Sequence, residues 1–303
     1  MAIDALADLL RASPTLERAL PGAVRAAASD SPILVLGEPG SGRSTLARAF
    51  HRASGRRDRP LVEVDPGSLP TTLFESELFG YQRGAFTGAE SAEEGRVARA
   101  EGGTLLLDHV EELPLAVQPK LLRLLAESRY APLGGRERPA DVRFVAVGSD
   151  DLPERARRGL FRPDLFYRLE VLAFRLPPLR ERRDDLPAIC DHLLADLAAR
   201  FGRPIPRLSE RARGWIADYR WPGNLRQLRN LLERAFVLAD IGELDPEPPA
   251  DAEEPRPRPL IEVERDEILR ALAYTRGHQG RAAELLGISR KALWEKRRRL
   301  GLP

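Results

Sequence analysis

The chain has 303 residues, 43% hydrophobic and 31% charged, with a formal net charge of +2 and one cysteine. That length suits two or three domains with sizeable cores, and no stretch approaches the roughly 18 apolar residues of a membrane span. The opening "MAIDALADLLRASPTLERAL" carries acids among its leucines, unlike a secretory signal, so a cytoplasmic protein that meets no membrane is expected.

Cys190 alone excludes an internal disulfide and any multi-cysteine metal site, and its apolar neighbours make it a packed residue to which no function is assigned. Because the charges nearly balance, affinity for nucleic acid has to come from a local basic cluster. Lysine occurs at only three positions, 120, 291 and 296, so most of the 48 cations are arginine. Any arginine in a lysine's usual place must be weighed against that bias.

About 36 residues precede the first glycine-rich turn, too few for a preceding regulatory domain, so control from elsewhere is expected. From Ser31 to about Leu169, the runs "PILVLG", "PLVEVD", "TLLLD" and "VRFVAVG" alternate with segments of helical period. This pattern predicts a parallel sheet flanked by helices, an α/β unit over residues 1–170. Within it, "LVLGEPGSGRST" places a glycine turn between a strand and the helix "TLARAFHRA". Backbone amides curled around such a turn receive phosphate oxygens, and the helix N-terminus adds favourable charge. The spacing from Gly37 through Glu38, Pro39, Gly40, Ser41, Gly42 and Arg43 to Ser44 and Thr45 is that of a P-loop, except that Arg43 holds the lysine position. A planar guanidinium is larger than an ammonium and reaches phosphate differently.

The apolar run "TLLLD" ends in Asp108, which would hold the water shell of an Mg²⁺ ion bound by the Ser44 hydroxyl. In ATPases built this way the next residue is usually a glutamate that activates water. Here it is His109.

Helical spacing dominates residues 171–242, as in "LPAICDHLLADLAARF" and "LRQLRNLLERAFVLAD", and predicts a separate helical lid. "ELDPEPPADAEEPRPRP", residues 243–259, reads as a Pro-rich linker. The segment 260–303 contains three helical stretches. In "RAAELLGISRKALWEKRRRLGL", a turn at Gly287 separates two helices, the second opened by Ser289 as N-cap. Residues 281–299 carry seven cations against Glu284 and Glu295, a local charge of +5. Arg290, Lys291, Trp294 and Arg298 are set to face a major groove, with Arg281, Ser289 and Arg297 beside them; Ala282, Ala283, Leu285, Leu286, Leu293 and Leu300 are the expected small core.

"ESELFGYQRGAFTGAE", residues 75–90, identifies the family. Gly84, Ala85, Phe86, Thr87, Gly88 and Ala89 resemble the GAFTGA signature of sigma-54-dependent transcriptional activators, the bacterial enhancer-binding AAA+ proteins. Two glycines permit a tight excursion, and Phe86 and Thr87 supply an apolar anchor and a hydroxyl for a partner. The resemblance continues over almost the whole chain. It implies an AAA+ P-loop sheet with a helical lid and an all-α Fis-type helix-turn-helix domain, with ATP and Mg²⁺ as cofactors. It further implies that the GAFTGA loop contacts the sigma-54 RNA polymerase holoenzyme. "GLFRPDLFYRLEVLAFRLPPLRER" resembles the segment whose arginine fingers, here Arg162 and Arg168, enter a neighbour's nucleotide site. "YRWPGNLRQLRNLLERA" resembles the sensor II region, with Arg226 turned to the γ-phosphate. A site completed by a neighbour implies self-association into a ring.

Four positions at the nucleotide site depart from the family. Arg43 replaces lysine, His109 replaces the acid, Ser149 stands at the sensor I asparagine, and Asp65 stands at the asparagine that restrains the catalytic glutamate. Two explanations compete. Either hydrolysis is lost or very slow, since removing a water-positioning base costs about 10²-fold or more, or Asp65 orients His109 as a new base. The first explains more of the departures. The expected function is a sigma-54-dependent regulator that binds double-stranded DNA upstream of promoters, oligomerises, and binds ATP with impaired hydrolysis. The alternative is a non-hydrolysing DNA-binding regulator, acting as a repressor or as a subunit of a mixed ring with another AAA+ chain.

Overall fold

Strands form where apolar β-branched and leucine residues run without interruption between turn residues, because a strand covered on both faces needs no polar alternation. Five such runs pair in parallel in the computed structural model: β1 (Ile33–Gly37), β2 (Leu61–Val64), β3 (Thr104–Leu107), β4 (Arg143–Ser149) and β5 (Leu172–Leu176), in the order β2-β3-β4-β1-β5. The described residues are 2–11, 13–239, 242–249, 264, 267–269, 271–272, 274–275 and 278–300. They fall into two units, residues 1–248 and 249–303. The expected linker lies outside the described residues from position 250 to 259, as do residues 260–263.

Successive strand residues face opposite ways, and the two faces bury different sets. Leu34, Leu36, Leu105, Leu107 and Ala146 pack against Phe74, Phe79, Leu121 and Phe161 on one side. Ile33, Val35, Leu106, Val145 and Val147 pack against Leu6, Leu46, Phe50 and Ala27 on the other. The four strands read from the sequence are all present. The fifth, β5, runs past residue 170 and pairs with β1 from Ile33↔Leu172 to Gly37↔Leu176, so the sheet extends into the segment assigned to the lid. Its alternating burial, with Phe174 and Leu176 inside and Ala173 and Arg175 outside, is that of an edge strand.

Helices Leu186–Phe201, Glu210–Asp218 and Asn224–Leu238 follow the sheet, the first burying Cys190. Burial pushes that thiol up to about 12, in keeping with a packed, unreactive side chain. Ser13 fastens the N-terminal segment to this region: its hydroxyl accepts from Leu16 N at 3.1 Å and donates to buried Asp185, which also receives Arg182 Nε at 2.9 Å. Among the described residues no helix is long and apolar enough to cross a membrane.

At the amino ends of β3 and β4, Thr104 and Arg143 are register partners, and both are buried. His51 Nδ1 lies 2.9 Å from Thr104 Oγ1, and Arg143 donates to Ala26 O at 3.1 Å. Burial, reinforced by the neighbouring charges of Arg143 and Arg52, holds His51 below the ordinary histidine value. As pH falls through about 6.5 the unfolded chain therefore takes up this proton before the native one, and stability is lost from there toward lower pH. Urea denaturation midpoints are expected to fall between pH 7 and about pH 5.5. His51→Gln, which keeps a hydrogen-bonding group toward Thr104, is expected to flatten that slope; an unchanged slope would refute this assignment.

Candidate functional site

Parallel strands bring their carboxyl ends to one edge, where chain crossovers leave a crevice. Gly37 ends β1 opposite Ser149 at the end of β4, and Asp108 follows β3 beside them. The glycine turn after β1 has left-handed backbone at Gly40 (φ 77°) and Gly42 (φ 103°), then helix Arg43–Arg52. A Cβ at Gly40 would meet Gly223 O at 2.6 Å and Arg226 Cβ at 3.2 Å, so the lid closes directly on the loop and only glycine fits there.

The residues around this turn suit a magnesium nucleotide. Ser44 Oγ donates to Asp108 Oδ2 at 2.6 Å, which places together the hydroxyl and carboxylate that a Mg²⁺ site requires. Ser41 is 2% exposed and its hydroxyl has no protein partner. A buried orphan hydroxyl within a phosphate loop is ready for a ligand oxygen. Thr45, which follows Ser44, is exposed.

Arg43 does not behave as the lysine it replaces. It is 5% exposed, and its Nη1 donates to Gly37 O at 2.8 Å and to Gly148 O at 2.6 Å. The guanidinium is tied to the main chain of β1 and β4. His109 adopts left-handed backbone (φ 50°, ψ 50°), a conformation costing a non-glycine residue about 1 kcal/mol. Its Nδ1 lies 3.4 Å from Asp65 Oδ1 and 3.8 Å from Asp108 Oδ1. Both are longer than a charge-assisted hydrogen bond. Asp65 instead caps the following turn, accepting from Gly67 N at 3.0 Å. Ser149 donates from its hydroxyl to Asp151 and from its N–H to Glu111 Oε2 at 3.2 Å.

Three residues of this site were not singled out in the sequence. Glu111 is one. Asn224 and Arg180 are the others: Asn224, fully buried with φ 51°, accepts from Leu179 N at 2.7 Å and donates to Glu38 Oε2 at 3.1 Å and Pro39 O at 3.2 Å. Arg180 grips both oxygens of Glu38 at 2.9 and 2.7 Å, which holds that carboxyl below its usual range. Each acts from a single short turn or from a helix end, where a polar residue gives no periodic signal.

Arg226 is exposed with its stem on Gly40. Arg162 and Arg168 lie elsewhere on the surface: Arg162 pairs with Asp164 at 3.0 and 2.7 Å, and Arg168 donates to Leu125 O at 3.3 and 3.2 Å.

Gly84–Ala89 forms a closed excursion in which Gly84 N bonds Ala89 O at 2.9 Å and Ala89 N bonds Phe86 O at 3.0 Å. Left-handed Gly84 (φ 79°) and Gly88 (φ 99°) make the turns. Phe86 is 44% exposed, and its ring rests on Tyr81 at 5.0 Å between centroids. The base is pinned to a second loop, with Gln82 N bonded to Leu133 O at 2.9 Å, and Ala85 packs beside Gly134. Thr87 is exposed at the tip.

In the second unit, helices Gln279–Leu285 and Arg290–Leu300 are joined by left-handed Gly287 (φ 65°), and Ser289 Oγ accepts from Ala292 N at 3.1 Å as its cap position requires. Ala282, Ala283 and Leu293 are buried with Ile268 and Ala271, while Leu286, Ile288 and Leu300 pack around them. Leu285 was expected in this core but is 59% exposed: it is the last residue of a seven-residue helix and sits about 200° around the axis from buried Ala283. Trp294 is 54% exposed beneath the Arg298 guanidinium at 5.5 Å, and Arg281, Arg290 and Lys291 are exposed. Lys296 and Arg299 pair with Glu264, and Arg297 is half-buried.

Comparison with known proteins follows these divisions. Residues 9–175 match the sigma-54 interaction domain, 180–252 the AAA+ ATPase lid domain, and 259–300 the bacterial regulatory protein, Fis family. The C4-dicarboxylate transport transcriptional regulatory protein DctD of Rhizobium meliloti is 41% identical over 297 residues, 97% of this chain and 64% of the relative. The transcriptional regulatory protein ZraR of Salmonella typhimurium is 40% identical over 299 residues, 95% of this chain and 68% of the relative. The chain thus spans about two thirds of the length of these relatives. A crystal structure of NtrX from Brucella abortus in complex with ATP superposes with a TM-score of 0.71 at 32% identity, covering 95% of this chain and 68% of that one.

Asn224 is the joint between lid and phosphate loop. Asn224→Ala is expected to destabilise the first unit by roughly 2–4 kcal/mol, because it strands buried donors and acceptors and leaves the left-handed backbone without the polar side chain that compensates it. Urea denaturation measures this; a loss under about 0.5 kcal/mol would contradict the role.

Proposed function

Since the chain belongs to the family of transcriptional regulators with a sigma-54 interaction domain, an AAA+ lid and a Fis-type helix-turn-helix, we propose that it is a DNA-bound regulator of sigma-54 RNA polymerase whose nucleotide site binds but barely turns over ATP. The observation that carries this reading is the contrast between two loops. The Gly84–Ala89 excursion offers Phe86 to solvent, 44% exposed, on a hydrogen-bonded base. The phosphate loop holds its one basic side chain, Arg43, against Gly37 O and Gly148 O.

Apolar surface held out on two glycines is suited to burial in a partner, where a single aromatic anchor supplies much of the affinity. We assign Gly84–Ala89 to contact with the sigma-54 holoenzyme. The helix Arg290–Leu300 and its cap Ser289 enter the major groove of upstream DNA, with Arg281, Arg290, Lys291, Trp294, Arg297 and Arg298 at the interface. Self-association brings Arg162 and Arg168 to a neighbouring subunit.

At the nucleotide site Gly37–Thr45 cradle the phosphates, Ser44 and Asp108 hold Mg²⁺, and Arg226 stands beside the loop from the lid. The ion would neutralise phosphate charge. Activation of water would require a carboxylate or an oriented imidazole at position 109. The 3.4 Å gap between His109 and Asp65, together with the engagement of Asp65 by Gly67 N, leaves the ring without the firm carboxylate partner that raises a histidine's basicity. This favours impaired hydrolysis over a histidine base. Chemistry at this site then serves assembly and partner binding.

The partner assignment is tested with purified sigma-54 and the full chain. Phe86→Ala is expected to weaken binding at least about tenfold while leaving binding to promoter-upstream DNA unchanged. Equal binding of sigma-54 by the wild type and Phe86→Ala would sink it.

A further inference from the structure

One peptide unit at the end of β4 is held on both sides by ionisable side chains of opposite sign. Its carbonyl, Gly148 O, accepts from Arg43 Nη1 at 2.6 Å, and its N–H, on Ser149, donates to Glu111 Oε2 at 3.2 Å. Groups hydrogen-bonded in series polarise one another, so the Glu111 carboxylate makes Gly148 O a better acceptor for Arg43, and Arg43 makes the Ser149 N–H a better donor. The second hydrogen of Nη1 goes to Gly37 O at 2.8 Å. To reach a ligand with that nitrogen, Arg43 would have to give up two main-chain bonds.

The charges nearby reinforce this. Asp108 hydrogen-bonds Ser44, Asp65 and Asp108 flank His109, and Glu111 reaches β4 from the turn after β3. Cations on the neighbouring segments are already engaged: Arg180 by Glu38, and Arg155 by the Asp151 carboxylate at 2.9 Å and, more weakly, by the main-chain oxygen of Glu111 at 3.5 Å. Arg226 stands at Gly40, on the lid side. The loop amides and Ser44 can receive the first phosphates of a chain. Each added phosphate brings more negative charge to a strand edge that already carries three carboxylates and withholds its arginine.

We infer that the Arg43–Gly148–Ser149–Glu111 bridge makes this site select a nucleoside diphosphate over the triphosphate, with Glu111 as the specificity-determining carboxylate. The inference rests on the nucleotide-site reading above. It assigns Glu111 two effects of the same sign: its charge opposes a terminal phosphate, and its hydrogen bond helps keep Arg43 on the main chain.

Isothermal titration of the full chain with ADP and with a non-hydrolysable ATP analogue, each with Mg²⁺, tests it. ADP is expected to bind about tenfold more tightly, as a unit charge a few ångströms away in a partly buried site would produce. Glu111→Gln is expected to narrow that ratio roughly five- to tenfold, chiefly by improving the triphosphate. Arg43→Lys, which keeps the charge but not the fork, narrows it as well and carries the test if Glu111→Gln fails to fold, as judged by its melting curve. Equal binding, a triphosphate preference in the wild type, or a ratio unchanged in both variants would overturn the selectivity while leaving the nucleotide site in place. No binding of either nucleotide would overturn the site and the selectivity together.

Discussion

Arg43 decides the character of the crevice. By donating from one nitrogen to Gly37 O and Gly148 O, it joins the start of the phosphate loop to the end of the adjacent strand and fixes their spacing. A buried guanidinium needs acceptors, and main-chain carbonyls at a strand end are among the few that carry no charge of their own to desolvate. From this joint the rest of the edge follows: Glu111 on the other side of the Gly148 peptide, Ser44 on Asp108, and Asn224 with Arg180 tying the lid to Glu38.

The same unit carries the Gly84–Ala89 excursion on contacts separate from that joint. The Gly84–Ala89 excursion is anchored through Gln82 to Leu133 and through Tyr81 to Glu93, contacts belonging to two short hairpins rather than to the strand ends at the phosphate loop. Changes at Arg43, His109 or Ser149 therefore leave its base intact. The helix-turn-helix unit likewise carries its own small core around Ala282 and Leu293 and its own ion pairs at Glu264.

What the sequence made legible followed from pattern. Four strands, the lid helices and the Ser289 cap all declare themselves through continuous apolar runs, helical spacing or a capping residue. The phosphate loop and the GAFTGA hexapeptide declare themselves through glycine spacing. The alternating edge strand Leu172–Leu176 was hidden inside a segment read for its arginines. Leu285 looked like core because helical spacing cannot show where so short a helix ends against its partner. Glu111 accepts from a main-chain N–H 38 positions away and Asn224 donates to a main-chain oxygen 185 positions away, distances no local pattern encodes. The departures at positions 43, 65, 109 and 149 were visible, but their consequence was not, since it depends on which carbonyls and amides the new side chains find.

Whether this edge holds a nucleotide without efficient turnover is tested by steady-state phosphate release from ATP at saturating concentration, comparing the wild type with the double variant Arg43→Lys, His109→Glu. Turnover in the wild type is expected to lie at least about 10²-fold below that of the double variant. Wild-type turnover equal to that of the double variant, and lost in His109→Ala, would contradict it and make His109 the base.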